Sequence, residues 1–170
     1  IYDADSHAKN LMTTDGILVD QIKKEFGSLS YNEKGGLNRK YLSEVVFNDE
    51  KKLKKLNNLV HPRVAYDYEN WLTQNMEDVY VIKEAALLFE AGSSKSLDKI
   101  IVVTAPEKLR INRVLKRDVQ RNEAEVVKII RKQMTEVEKL KRADFIIQNN
   151  ETELVIPQVL KLHEQFTALN

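Results

Sequence analysis

The 170-residue chain is the size of one domain with small appendages, and its 42% hydrophobic content suffices for a core. Its 27 Lys and Arg against 26 Asp and Glu leave a net charge of +1, which argues against a globally basic nucleic-acid binder. The absence of cysteine excludes disulfide scaffolds, thiolate metal sites and cysteine nucleophiles, and no apolar run approaches the ~18 residues that a membrane span needs.

Ile1-Tyr2 reads as the tail of a strand, so the chain is expected to start in mid-element, as part of something longer. Asp3-Ala4-Asp5 follows, and Ser6 is a candidate cap for the next helix. Ile17, Val19, Ile22 and Phe26 predict a helix over 15–26, stopped by Gly27. Asn38 is placed to cap a helix carrying Tyr41, Leu42, Val45 and Val46. Leu53, Leu56, Leu59, Val60, Val64, Tyr68 and Trp71 continue at helical steps, with a kink or a new start expected at Pro62. Three short apolar runs, 79–82, 100–104 and 145–147, are near-continuous rather than alternating. They predict strands of a parallel sheet covered on both faces, hence an α/β fold. Pro106 suits the first turn of a helical block running to Arg142. A last helix is expected over about 151–169, with Pro157 near its start.

Charge is uneven along the chain. Residues 108–132 hold nine basic and three acidic side chains, in a chain whose net charge is +1. Such a block suits a local anionic ligand, or equally a solvated helical face. Within it, Arg113 and Arg117 stand four apart on one helical face, and a guanidinium grips phosphate with a planar fork. A mobile helical pair bearing such residues works as a nucleotide-kinase lid. An RNA-binding module is the competing reading, although no aromatics interleave to stack bases.

Two carboxylates, Asp3 and Asp5, follow a strand at the position where open α/β sheets bind ligands. One can orient a hydroxyl nucleophile while the other helps hold Mg²⁺ through water. The same pair also reads as capping and turn residues, and an Asp-x-Asp phosphatase uses a similar motif. His7, His61 and His163 form no H-x-x-x-H pair, so no dedicated transition-metal site is expected, and His7 reads as a helix-surface or substrate-side residue. Lys83 to Gly92 puts Glu84 at a strand end, followed by an apolar run fit to line a pocket or simply to pack. The glycines are Gly16, Gly27, Gly35, Gly36 and Gly92, and no G-x-x-x-x-G-K-[ST] phosphate loop occurs.

In order, these segments resemble the dephospho-coenzyme A kinase family. The matching stretches are Ile1 to Asp5, Leu42 to Phe47 with Asn48-Asp49, Leu56 to Pro62, Glu84 to Gly92, and Ile100 to Pro106. Arg113, Arg117-Asp118, Gln133-Met134, Lys139-Leu140, Arg142 to Asp144 and Asn149 complete the series. The resemblance implies a P-loop NTPase kinase core with a parallel sheet, here without the family's N-terminal strand, phosphate loop and helix. Residues 13–70 would form a helical substrate-binding subdomain and residues 106–142 a lid. The implied reaction moves the γ-phosphoryl of ATP to the ribose 3′-hydroxyl of dephospho-coenzyme A, with Mg²⁺. Asp5 would accept or orient the hydroxyl proton, with Asp3 and Glu84 supporting Mg²⁺ through water. His61 and Phe89 would line the acceptor pocket, Arg113 and Arg117 would approach the ATP phosphates, and Asn149 would lie near the adenine. By the same resemblance the protein is cytoplasmic and engages neither membrane nor nucleic acid. Without a phosphate loop, the 170 residues alone are expected to be inactive.

Overall fold

The computed structural model describes residues 1–47 and 49–168. Asn48 of the family-like stretch and Leu169 of the expected last helix lie outside the described residues. The chain divides into two units, Ile1–Ala86 and Leu87–Asn170.

The first unit is helical around one short parallel ladder. Strand β1 (Tyr2–Asp3) pairs with β2 (Lys83–Glu84), placing Tyr2 opposite Lys83 and Asp3 opposite Glu84. The strand expected at 79–82 is therefore displaced toward Glu84. Val79 is 56% exposed, and Ile82 contributes only a carbonyl, which accepts from the Tyr2 amide at 2.8 Å. A ladder can extend no further than its shorter partner, and β1 has two residues.

Helix α1 (Ala4–Thr14) follows directly, capped by Asp3 rather than Ser6. Asp3 accepts from the Ser6 amide at 2.9 Å and the Ser6 hydroxyl at 2.7 Å, because the cap position precedes the first helical residue and Ser6 already lies inside the turn. Helix α2 (Gly16–Phe26) is capped by Asp15 and ended by Gly27 at φ 90°, a conformation that favours glycine. Helix α3 (Arg39–Phe47) starts as the pattern predicts, with the Asn38 side chain accepting from the Tyr41 amide at 3.2 Å. Helix α4 (Glu50–Gln74) runs unbroken through Pro62 for 25 residues. No new helix starts at Pro62. Tertiary packing of Leu56, Leu59, Val60 and Val64 on the core outweighs the one backbone bond that proline cannot donate. That core is Leu18, Ile22, Phe26, Tyr31, Leu42 and Val60, and burying each large apolar side chain contributes about 1.5–3 kcal/mol.

The second unit holds the other parallel ladder. Strand β3 (Ile101–Thr104) pairs with β4 (Phe145–Gln148) from Ile101 opposite Phe145 to Thr104 opposite Gln148. The parallel pairing matches the expectation, but burial on both faces does not. Among the described residues β3 pairs with β4 alone, and Val103 and Ile146 are 60% and 45% exposed. Pro106 is the cap of α5 (Glu107–Arg117), one place before the first turn. Asn122 and Thr135 build capping boxes that start α6 (Glu123–Arg131) and α7 (Glu136–Lys141). The last helix, α8 (Val155–Thr167), begins four residues later than the pattern suggests. The Asn150 side chain accepts from the Thr152 and Glu153 amides and closes a turn there, with Glu151 at φ 70°.

Candidate active site

In the first unit, the carboxyl ends of β1 and β2 carry three acids. Asp3 and Glu84 are register partners, and Asp5 lies in the first turn of α1. Glu84 is held above the usual carboxylate range, first by desolvation and then by the negative charges of Asp3 and Asp5. Asp3 is held below it by the Ser6 amide and hydroxyl. Asp3 is thus a cap and a member of the acidic group at once, since a carboxylate offers about four lone-pair sites. Among the described residues no three acids or histidines lie close enough to hold a metal ion directly. The donors are hard oxygens, which fit Mg²⁺ bound through its own waters.

Behind these acids lies a polar cluster that sequence reasoning missed. Tyr2 is fully buried, and its hydroxyl donates to Asp67 Oδ2 at 2.8 Å. His7 Nδ1 meets the same oxygen at 2.7 Å, and the His7 ring stacks on Tyr2 at 4.0 Å. Burial first, and then the Asp67 carboxylate, push the Tyr2 phenol far up. Lys83 lies over the Tyr68 ring at 3.9 Å, its ammonium pKa lowered by desolvation. Sixty residues separate His7 from Asp67, and no periodicity links them. His61 stands on α4, and desolvation holds its imidazole below its ordinary value.

The remaining predicted residues fall in the second unit. Phe89 sits in the turn after β2, with the Arg142 guanidinium 5.8 Å from its ring centroid. Arg113 and Asn149 are brought together: Arg113 donates to the Asn149 carbonyl at 3.0 Å, and Glu151 lies 3.8 Å from the same guanidinium. Arg117 is exposed and forks onto Asp118 with two 3.2 Å bonds. Arg110, Arg117 and Arg121 line a cavity of about 290 Å³ whose apolar wall includes Val114, Val126 and Ile129. Asp118 pairs with Arg117 and Arg121, and Glu136 pairs with Arg110, which leaves one net positive charge among these five groups. Like Arg121, Arg110 is a lining arginine that the sequence did not single out. It pairs with Glu136 at 3.0 Å, and Glu136 also accepts from buried Thr104 at the end of β3.

The sequence profile of the dephospho-CoA kinase family (CoaE) matches residues 1–154. The chain belongs to the dephospho-CoA kinase family. A dephospho-CoA kinase from Fusobacterium nucleatum is 38% identical over 151 residues, 88% of this chain and 76% of that protein. Another from Aquifex aeolicus is 36% identical over 169 residues, 98% and 85% of the two chains. Among solved structures, TT1252 from Thermus thermophilus superposes with a TM-score of 0.82 at 30% identity, covering 96% of this chain and 82% of its own. The dephospho-CoA kinase from Campylobacter jejuni does so with a TM-score of 0.69 at 27% identity, covering 98% and 84%. The fold is therefore the α/β fold of P-loop kinases, and the protein is a kinase of coenzyme A biosynthesis. Family membership decides for the kinase over the RNA-binding and phosphatase alternatives.

Proposed function

We propose that Asp5 is the acid–base group for phosphorylation of the ribose 3′-hydroxyl of dephospho-CoA by ATP. The observation that carries this is the convergence of Asp3, Asp5 and Glu84 at the carboxyl ends of two parallel strands, with Glu84 raised by desolvation and its two acidic neighbours. The bond between the 3′ oxygen and the γ-phosphorus forms as the β–γ bridging bond breaks. ADP leaves, and the hydroxyl proton passes to the Asp5 carboxylate. Mg²⁺, when bound, neutralises charge on the phosphates. Asp3 and Glu84 would hold it through water. In this reading His61 contacts the acceptor from a substrate-binding region over 13–70, and Phe89 contacts it from the turn after β2. Arg113 and Arg117 bring positive charge to the phosphates from a lid over 106–142, Arg117 exchanging Asp118 for a phosphate oxygen. Asn149 lies by the adenine. Among the described residues no helix is long and apolar enough to cross a membrane, and a cytoplasmic location belongs to the same proposal.

The test is Asp5→Asn in the natural polypeptide. Removal of an acid–base group of this kind costs on the order of 10²–10⁴ in rate. We expect kcat to fall within that range while calorimetric ATP affinity stays within a few-fold. Turnover close to that of the parent would make Asp5 a structural residue and overturn the assignment.

A further inference from the structure

We infer that His7 is a positioning residue of the active site: clamped by Asp67, it fixes the rotation of the first turn of α1 and so the direction in which Asp5 points. This rests on the reading of Asp5 above.

An α-helix turns about 100° per residue. His7 follows Asp5 by two, so the two side chains leave opposite faces of α1. His7 faces inward to α4 and β1, where Asp67 Oδ2 lies 2.7 Å from Nδ1 and the Tyr2 ring lies 4.0 Å beneath. Asp67 is on α4, so this single contact ties three elements. The carboxylate oxygen accepts from Tyr2 as well, at 2.8 Å, so the proton on Nδ1 and the plane of the ring are both set.

The first turn of α1 has few other anchors. Helix α1 has no fully buried residue, and Ala8, Leu11 and Met12, which pack against the core, belong to its later turns. The Asp3–Ser6 cap joins the turn to the end of β1 and does not itself reach α4. The His7–Asp67 bond is directional, unlike apolar packing, and it lies one turn from the acid.

His7→Ala, His7→Asn and Asp5→Asn in the natural polypeptide test this, read by amide hydrogen exchange over residues 3–8 without substrate and by kcat and KM for dephospho-CoA. A small misplacement of a reacting group costs up to ~100-fold. We expect His7→Ala to speed that exchange and to lower kcat about tenfold, with KM within two-fold. The amide nitrogen of asparagine can donate to Asp67, so His7→Asn should recover most of both. Parental exchange and kcat in His7→Ala would overturn the proposal, and so would losses that His7→Asn does not repair. Faster exchange in His7→Ala beside undiminished turnover in Asp5→Asn would support the clamp and overturn only the reading of Asp5.

Discussion

Asp15→Ala should destabilise the first unit by about 3 kcal/mol. The Asp15 side chain is 8% exposed and makes two bonds. Its Oδ1 accepts from the Leu18 amide at 3.0 Å and caps α2, an interaction worth about 1 kcal/mol. Its Oδ2 accepts from Arg63 Nε at 2.6 Å, and a hydrogen bond between charged groups is worth about 1.5–3 kcal/mol. The Arg63 side chain is 26% exposed, so the alanine variant leaves a partly desolvated cation without its partner. Asp15→Asn keeps a capping oxygen and loses only the charge, so about half that cost is expected. The pH dependence follows from the sign of the shift. Desolvation raises the Asp15 carboxyl, but the Leu18 amide and the Arg63 guanidinium outweigh it, and the net direction is down. A lowered folded value means that the stabilisation is complete above the unfolded value of about 3.9 and is lost as pH falls through the folded one. The gap between Asp15→Asn and the parent should therefore be constant from pH 7 to 5 and close only in acid. Urea unfolding followed by circular dichroism at several pH values measures this. An Asp15→Ala variant within 0.5 kcal/mol of the parent at pH 7, less than a typical lost cap alone, would refute the reasoning.

Three further outcomes are expected. Asp3→Asn removes one of the negative charges beside Glu84, so the Glu84 carboxyl should titrate at lower pH by ¹³C NMR; an unmoved midpoint would show that the Asp3 charge is not among its causes. Glu151→Gly should raise stability by about 1 kcal/mol, because φ 70° strains a residue with a Cβ and the lost Arg113 contact is exposed. A lower melting temperature in that variant would show that the ion pair outweighs the strain. Tyr31→Phe should cost about 1 kcal/mol, since the phenol donates to the Met12 carbonyl at 2.7 Å. The same change should remove one late-ionising tyrosine from an alkaline absorbance titration, because burial pushes the Tyr31 phenol up to about 12.

Much of the architecture was legible locally. The apolar spacing of Ile17 to Phe26 and of Leu53 to Trp71 marks α2 and α4, because a helix presents every third or fourth residue to one face. The apolar runs at 100–104 and 145–147 mark strands for the same local reason, and their parallel pairing follows from the helices between them. Strand-end acids and basic helical residues are local features too, so Asp3, Asp5, Glu84, Arg113 and Arg117 could be named from residue type and position. Which element pairs with which, and where a ladder stops, depends on the partner. The Val79–Ile82 run therefore yields its place to Lys83–Glu84, and Val103 stays exposed. Pro62 within α4 is decided by what packs on the helix rather than by its own backbone. The His7–Asp67–Tyr2 cluster and the Arg110–Glu136–Thr104 link were beyond the sequence for a simpler reason. In each, one acid, Asp67 or Glu136, is tens of residues from its partners, and a hydrogen bond needs atoms within about 3 Å, a distance that only the folded chain sets.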